Sequence, residues 1–422
     1  MIRRLPLALL SCALPIVASA GATSAAEKPA RYVLHQLTVP PGDLLDGDFM
    51  QGAVSVDGVA RRGPRTIALA ANGAVAAIVT NTGNLYPART IVVWRPGGSR
   101  VTIGLPDPAV LDQGFHHRGG RVDTFPSASF SRVVLADDGT PFATVTNSFS
   151  GAYSGIDKAV FRWIGTKWRN VPPAGEPISP ARSDYDVVAA ELPKLRIGLT
   201  GDSSSADVSF DELEHTPGYQ LPEAMVYDGL TMRGLGAGTM TALAGAYACG
   251  FIGEQNGRTM PDNVNVEGQI PYALLWHDGA TTRLGRGLAF GVNAGGVAVG
   301  DNRVSIEGGP LLATRAEYDR LKIMPGKPPV VVPVRWDAHG ATVLGREPGT
   351  AFAIARNGTT VGALVHGGGF VSRGSSLTAL DALVSGSHVH IRGAYSIDPR
   401  GRILVLTGLA GTPGLAYLDP VP

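Results

Sequence analysis

Cysteine is scarce in this chain of 422 residues, and charged side chains are few. The two cysteines are Cys12 and Cys249, and Cys12 lies in an N-terminal segment that is predicted to be removed. We therefore expect no intramolecular disulfide, and we interpret Cys249, which lies in an apolar stretch, as a buried structural residue. With 36 basic and 35 acidic side chains, the chain also has no basic patch of the kind that nucleic acid requires.

Long apolar runs are missing except at the N-terminus. Arg3 and Arg4 precede the apolar residues 5–17, and Ala18, Ser19 and Ala20 form a small-residue cleavage site. This pattern predicts a secretory signal peptide over residues 1–20, followed by a flexible mature N-terminus over residues 21–31. No later stretch reaches the roughly 20 apolar residues of a membrane helix. We expect an exported protein, periplasmic or extracellular, with no transmembrane segment; the alternative is a lipid anchor at Cys12.

Glycine is abundant, with 56 residues, and it recurs in a fixed pattern. An apolar residue is followed by three small or polar residues, then Gly, then a new apolar strand. The clear copies are residues 69–73, 135–139, 292–296, 354–358 and 397–401. Asn-Gly, Asp-Gly and Gly-Gly tolerate positive φ, so these copies predict hairpin turns between two strands. Two weaker copies begin at Tyr185 and Leu243.

An aromatic side chain marks the third strand of most copies. The residues are Trp94, Trp163, Tyr227, Trp276 and Trp336, each followed within four residues by Gly. An aromatic side chain at a fixed repeat position is typical of core packing rather than of ligand binding.

The repeat length predicts the architecture. Seven copies over about 400 residues give roughly 57 residues each, the size of a four-stranded propeller blade with its loops. The seventh copy ends without a fourth strand, and residues 32–39 form a strand that belongs to no copy. We predict a single all-β domain over residues 32–422, a seven-bladed β-propeller closed by the N-terminal strand. Six blades, a β-solenoid or two sandwiches are the alternatives.

The repeat resembles that of the HAF-repeat extracellular proteins of bacteria. Residues 292–300 match the first half of that repeat, residues 272–279 match the second half, and residues 394–404 and 415–422 resemble the usual ending. The resemblance implies a propeller-like extracellular protein. It supplies no catalytic residue, because the recurring residues of that family are turn and packing positions.

The long connections break the repeat at residues 105–131, 171–183, 201–222, 254–271 and 301–333. Successive connections of an antiparallel blade lie at opposite ends of the sheet, and these inserts occupy alternate connections. We therefore expect all of them on one face, which would be the binding face.

Candidate binding residues on these connections are few. We name His116, His117, Arg118, Arg121, Asp123, His215, Tyr318 and Arg320. Adjacent imidazoles beside two arginines have the chemistry to hold a metal or an anion; the alternative is a solvated glycine-rich loop. Residues 207–215 and 262–267 carry oxygen ligands but are interpreted as exposed loops. His388 and His390 are predicted to share one face of a surface strand.

No nucleophile elbow, zinc-protease helix, phosphate loop or dinucleotide fingerprint occurs in the sequence. The sequence therefore favours an exported, non-catalytic propeller that binds a protein, a glycan or an envelope component through its long-loop face, with no cofactor and no metal. The alternative is a propeller hydrolase or lyase that acts on a carbohydrate or a lactone. The ligand and the oligomeric state are left open.

Overall fold

The computed structural model describes residues 31–45, 65–81, 88–115, 127–149, 155–171, 185–201, 223–255, 258–260, 272–305, 330–384, 389–408 and 414–421. In these ranges the strands form seven antiparallel sheets. The first strand of the chain, β1 (Tyr32–Leu37), belongs to the last sheet. We call the sheets blades 1 to 7 and their strands A to D, from the ring axis outwards.

The strands of the first three blades follow one another in sequence. In blade 1 they are β2 (Asp43–Leu45), β3 (Ile67–Leu69), β4 (Val75–Asn81), β5 (Arg89–Trp94) and β6 (Arg100–Ile103). In blade 2 they are β7 (Ser129–Leu135), β8 (Pro141–Phe149), β9 (Gly155–Ile164) and β10 (Lys167–Val171). In blade 3 they are β11 (Tyr185–Glu191), β12 (Arg196–Gly201), β13 (Glu223–Tyr227) and β14 (Met232–Ala237).

The next three blades repeat this order. In blade 4 the strands are β15 (Thr239–Ala244), β16 (Tyr247–Gln255), β17 (Arg258–Met260), β18 (Tyr272–His277) and β19 (Ala280–Arg286). In blade 5 they are β20 (Leu288–Val292), β21 (Ala298–Ser305), β22 (Val330–Asp337) and β23 (Gly340–Val343). In blade 6 they are β24 (Gly349–Ile354), β25 (Thr360–Leu364), β26 (Gly368–Arg373) and β27 (Ser376–Ala379).

Blade 7 combines the two ends of the chain. Its strands are β28 (Ile391–Ile397), β29 (Ile403–Thr407), β30 (Gly414–Pro420) and β1. Strand β1 pairs antiparallel with β30, from Tyr32 opposite Pro420 to Leu37 opposite Leu415. The predicted closure by the N-terminal strand is confirmed. It covers an edge that would otherwise present unpaired backbone groups to other chains.

The A strands form a closed ring. Each contacts the A strand of the next blade, in the order β3, β7, β11, β15, β20, β24 and β28, and β28 contacts β3. This arrangement is a seven-bladed β-propeller, as predicted. Each blade packs both of its faces against neighbouring blades. Side chains that point to either face are therefore buried, and the strands are nearly continuous apolar runs in the sequence.

The turns between strands A and B have the predicted glycine in the left-handed region. Gly73, Gly139, Gly296, Gly358 and Gly401 have φ between 76° and 89°. In each turn the glycine N–H donates to the carbonyl three residues earlier, at 2.9–3.0 Å. This is a type I turn followed by a bulge residue with positive φ, a conformation in which a Cβ atom would be strained.

Tryptophan side chains link neighbouring blades. Trp276 and Trp336 end the C strands of blades 4 and 5 and are each 1% exposed. A methyl group at Gly285, on the D strand of blade 4, would lie 3.4 Å from Nε1 of Trp336. Gly236 stands in the same relation to Trp276, at 3.7 Å. The glycines of Leu235-Gly236 and Leu284-Gly285, near the ends of the D strands, therefore leave room for the indole ring of the next blade.

Blade 2 departs from this rule. Trp163 is only partly buried, and its ring packs edge-on against Trp168, with 5.2 Å between ring centroids. Trp168, one strand later, is the buried one, and its Nε1 donates to the Gly104 carbonyl at the end of blade 1, at 2.7 Å. The link to the preceding blade is kept, but a different residue makes it.

These packing differences predict unequal effects of truncation. Trp336→Ala should lower the free energy of unfolding by about 3–5 kcal/mol, because it empties a fully buried site between two blades. Trp163→Ala should cost clearly less, because its ring is already partly in contact with solvent. Denaturant unfolding of both variants and of the unaltered protein measures the difference. Equal losses would contradict the packing described here.

Candidate binding face

The two faces of the ring carry different connections. Because the strands of each blade alternate in direction, the A–B and C–D turns lie on one face, the turn face. The B–C and blade-to-blade connections lie on the other, the loop face. The loop face holds the ends of the strands that flank the long connections, which contain residues 116–126, 172–184, 202–222, 261–271 and 306–329. The expected grouping of the long connections on one face is confirmed for their flanking strands.

Two details differ from the sequence expectation. The segment 105–131 contains a helix, α1 (Pro108–Gly114), whose Leu111 is buried and which contacts β9 and β10 of blade 2. Two blade-to-blade connections, those leading into blades 4 and 5, are single glycines, Gly238 and Gly287, rather than loops. A side chain at Gly287 would place its Cβ 2.0 Å from the Asp301 carbonyl oxygen, so this crossover requires glycine.

Hydrogen bonds between neighbouring turns close the turn face. The Asn72 amide of blade 1 donates to the Asp138 carbonyl of blade 2 at 2.6 Å. Asn293 of blade 5 donates in the same way to the Ala355 carbonyl of blade 6 at 3.2 Å. Arg402 of blade 7 reaches the Gly73 carbonyl of blade 1 at 3.1 Å. These contacts use the polar groups of the turns for scaffold interactions.

The link between blades 3 and 4 is charged. Glu191 accepts a hydrogen bond from the Gly245 N–H at 2.7 Å, and Arg196 donates to the Gly245 carbonyl. Arg196 and Glu191 also pair with each other at 3.0 Å. Together with the links made by Asn72, Asn293 and Arg402, these bonds join the inner turns at four of the seven junctions between blades.

The candidate residues named from the sequence lie outside the described residues. They are His116, His117, Arg118, Arg121, Asp123, His215, Tyr318 and Arg320. The described strand ends show only that the segments carrying them leave from the loop face. The oxygen-rich segment 262–267 also lies outside the described residues.

His390 has a partner that the sequence did not indicate. It precedes β28 instead of lying on a strand face, and its Nδ1 lies 2.6 Å from Oδ2 of Asp381. The other Asp381 oxygen accepts a hydrogen bond from the Ile391 N–H at 2.8 Å. The side chains of His390 and Asp381 are 47% and 41% exposed. This imidazole–carboxylate pair lies on the loop face, in the connection from blade 6 to blade 7.

A buried ion cluster joins blades 1, 2 and 3. Asp186, on β11, has a side chain that is 7% exposed and lies 3.3 Å from Lys158 Nζ on β9. Arg65, which precedes β3, lies 3.9 Å from the same carboxylate oxygen, and Arg132 on β7 also acts on it electrostatically. Burial alone would raise the pKa of Asp186, but Lys158, then Arg65 and Arg132, outweigh burial and hold it well below its usual range.

The inner strands of blades 5, 6 and 7 are apolar by contrast. Phe290, Phe352 and Tyr395 follow one another around the ring, with ring centroids 5.7 and 5.1 Å apart. Burial raises the pKa of Tyr395 to about 12. Cys249 is fully buried, as predicted, and burial raises the pKa of its thiol to about 12, so it remains a neutral thiol.

Sequence reasoning did not find the ion cluster or the His390–Asp381 pair. Arg65, Arg132, Lys158 and Asp186 are single residues on three blades, and no fixed spacing connects them. Only the positions of β7, β9 and β11 in the ring bring them together. Among the described residues, no group of three or more His, Cys, Asp or Glu side chains could hold a metal ion.

No protein-family model matches the chain, and no curated protein matches it. Solved structures match only in fold. The acylaminoacyl peptidase of Pyrococcus horikoshii aligns with a TM-score of 0.49 and 13% identity over 84% of this chain, which spans only 50% of the peptidase. The β-propeller domain of the Trilobed protease from Pyrococcus furiosus, described as having an open velcro topology, aligns with a TM-score of 0.49 and 10% identity, over 90% of this chain and 95% of that one.

A sialidase of Trypanosoma rangeli aligns more weakly, with a TM-score of 0.38 and 11% identity over 92% of this chain and 59% of the sialidase. At these identities the likeness concerns the fold alone. In the part of the chain that the structure describes, no helix is long and apolar enough to cross a membrane.

The ion cluster predicts a pH-dependent contribution to stability. A carboxylate whose folded pKa lies below its unfolded value stabilises the fold above that unfolded value, near 3.8, and loses its effect as the pH falls towards the folded pKa. Asp186→Asn should therefore lower the free energy of unfolding by roughly 3–5 kcal/mol at neutral pH, because it removes the charge of one partner of the buried Lys158–Asp186 ion pair. The gap between variant and unaltered protein should shrink below about pH 4.

Denaturant unfolding at pH 7 and pH 3 measures this gap. Asp278→Asn is the matched control, because that side chain is 79% exposed and its ion pair with His277 contributes little. A gap for Asp186→Asn that stays constant between the two pH values would contradict the assignment.

Proposed function

We propose that this chain is an exported, non-catalytic β-propeller that binds a protein, a glycan or another envelope component through its loop face. One observation carries the proposal: the two faces of the ring differ. At four of the seven junctions between blades the inner turns of the turn face are joined by hydrogen bonds, whereas the long connections begin and end at the loop face. Binding residues are found disproportionately on loops that a rigid scaffold positions.

Buried polar side chains also favour the loop face as the binding face. Asp186, Thr239 and Thr350 lie at the loop-face ends of their strands, Asp301 lies opposite the first residue of β20, and all four are less than 9% exposed. Thr350 donates to Asp301 across blades 5 and 6 at 3.2 Å. Buried polar side chains therefore lie beneath the loop face in blades 3, 4, 5 and 6.

Export is part of the proposal. It is supported by the signal-peptide pattern of residues 1–20 and by the resemblance of the repeat to the HAF-repeat extracellular proteins. The recurring residues have scaffold roles, which agrees with ligand contacts on the connections that differ in length from blade to blade.

Replacing loop-face segments should abolish binding. In one variant, residues 202–222 and 306–329 are each replaced by a short Gly/Ser linker, which a surface connection tolerates at small entropic cost. The control variant, Ile164→Ser with Leu230→Ser, changes two exposed apolar tips of the turn face, 48% and 78% exposed. Binding to a glycan array and to isolated cell-envelope fractions should be lost in the first variant and kept in the second. The reverse result would overturn the choice of face.

A second candidate function is a hydrolase or lyase that acts on a carbohydrate or a lactone. The His390–Asp381 pair favours it, because a carboxylate that hydrogen-bonds one imidazole nitrogen orients the ring and supports proton transfer at the other nitrogen. The pair lies on the loop face and is half exposed, so a ligand bound there has access to it.

Turnover assays on glycan, ester and lactone substrates test this candidate. If the protein is an enzyme of this kind, His390→Gln should lower kcat by about 10²–10⁴-fold. His366→Gln, at another exposed histidine of the loop face, should leave kcat unchanged. Activity that survives in His390→Gln would exclude the pair as the acid–base group.

A further inference from the structure

Two Asn-Gly turns of the ring have the same internal hydrogen bonds. Asn72-Gly73 lies in the A–B turn of blade 1, and Asn357-Gly358 lies in the A–B turn of blade 6. In each turn the glycine N–H donates to the carbonyl three residues earlier, at 2.9 and 3.0 Å. The asparagine Oδ1 accepts a hydrogen bond from the N–H two residues later, again at 2.9 and 3.0 Å. Any difference in reactivity between the two turns therefore comes from their surroundings.

The blade 1 turn is held by both neighbouring blades. Asn72 donates with its backbone N–H and with its Nδ2 group to two carbonyls of the blade 2 turn, at 3.0 and 2.6 Å. From blade 7, Arg400 and Arg402 donate to two carbonyls of the blade 1 turn, at 3.3 and 3.1 Å. Gly73 is buried, and a Cβ atom there would lie 2.5 Å from the Arg402 guanidinium. This turn can open only if contacts to both neighbours break.

The blade 6 turn has fewer such contacts. Among the described residues, one hydrogen bond joins it to another blade, from the Asn293 side chain to the Ala355 carbonyl at 3.2 Å. Asn357 is exposed, and in the part of the chain that the structure describes its Nδ2 group makes no hydrogen bond. A Cβ atom at Gly358 would meet no other atom within 4 Å. The side chain of Asn357 and the peptide unit that follows it therefore have room to change conformation.

We propose that Asn357 is a site of spontaneous deamidation and that Asn72 is protected from the same reaction. The backbone nitrogen of Gly358 attacks Cγ of Asn357, so that an N–Cγ bond forms and the Cγ–Nδ2 bond breaks. Ammonia leaves with the proton of the Gly358 amide, and water then opens the succinimide ring to aspartate or isoaspartate. Glycine favours the attack because no side chain shields its nitrogen. The site lies on the turn face, so this proposal does not depend on the function proposed for the loop face.

The contacts between blades set the difference in rate. The glycine N–H must leave its hydrogen bond within the turn before the nitrogen can attack, so the reaction follows local opening. In blade 6 opening breaks the bonds of the turn itself, whereas in blade 1 it also breaks bonds to blades 2 and 7. Asn72 in the folded protein should therefore react at least about tenfold more slowly than Asn357.

Peptide mass mapping of the intact protein during incubation at alkaline pH tests the proposal. Alkaline pH speeds the reaction because the attacking nitrogen must lose its proton. The peptide that carries Asn357 should gain the mass of deamidation well before the peptide that carries Asn72. Asn357→Gln is the matched control and should remove this gain, because a glutamine side chain must close a larger, less favourable ring. A third Asn-Gly pair, Asn256-Gly257, lies outside the described residues and is followed on its own peptide.

Unfolding the chain should remove the difference between the two sites. In denaturant both asparagines are followed by an unhindered glycine and should react at similar rates. Denaturant should therefore accelerate Asn72 at least about tenfold more than Asn357. This comparison uses the unaltered protein and does not depend on the folding of any variant.

Releasing the blade 1 turn should expose its asparagine to the reaction. Arg400→Gln combined with Arg402→Gln removes the two contacts from blade 7 and should speed deamidation of Asn72 several-fold, with Asn357 unchanged. Thermal unfolding shows whether this variant is folded. The proposal is wrong if Asn72 reacts as fast as Asn357 in the folded protein. It is also wrong if denaturant accelerates both sites equally.

Discussion

The pairing of β1 with β30 is the contact on which the ring depends. A blade of this propeller has no stable existence alone, because both of its faces are apolar and must be covered by neighbours. When the ring closes, the apolar faces of all blades are covered, because blade 7 packs against blade 1 as every other blade packs against the next. Side chains reinforce this pairing: the ring of His35 on β1 stacks on that of Tyr417 on β30, with centroids 4.8 Å apart, and His35 Nε2 lies 3.5 Å from Asp419.

The recurring residues solve the geometric problems that ring closure creates. Glycine supplies the positive φ of the inner turns, and it supplies the space that a tryptophan of the next blade occupies. Glycines in the B strands solve a third problem: at Gly250 and Gly300 a Cβ atom would collide with a carbonyl oxygen of the bulged A strand, at 2.0 and 1.9 Å. The recurring glycines are thus required by backbone geometry, which explains why the motif contains no catalytic or ligand-binding residue.

The turn face and the loop face differ in the connections that they carry. Tight turns bring polar groups close together, and at four of the seven junctions these groups make hydrogen bonds within the scaffold. The long connections on the loop face differ in length, whereas the single-glycine crossovers at Gly238 and Gly287 are fixed by close backbone contacts. The ion cluster of Asp186, in blades 1 to 3, and the His390–Asp381 pair, between blades 6 and 7, both lie on this side of the molecule.

Sequence alone predicted seven blades and the closing N-terminal strand, because these depend on local signals, and the structure decided between seven blades and the alternatives of six blades, a β-solenoid or two sandwiches. Turn glycines such as Gly73 and Gly358 and aromatic residues such as Trp336 recur at readable intervals. It also determined that the long connections share a face, because antiparallel strands alternate in direction. What only the tertiary structure decided is which distant side chains meet. Lys158 and Asp186 come together because two blades lie side by side, and His390 meets Asp381 because a crossover bends back on itself. Such contacts have no period along the chain, since the curvature of the ring, and not the spacing of residues, brings the groups into contact.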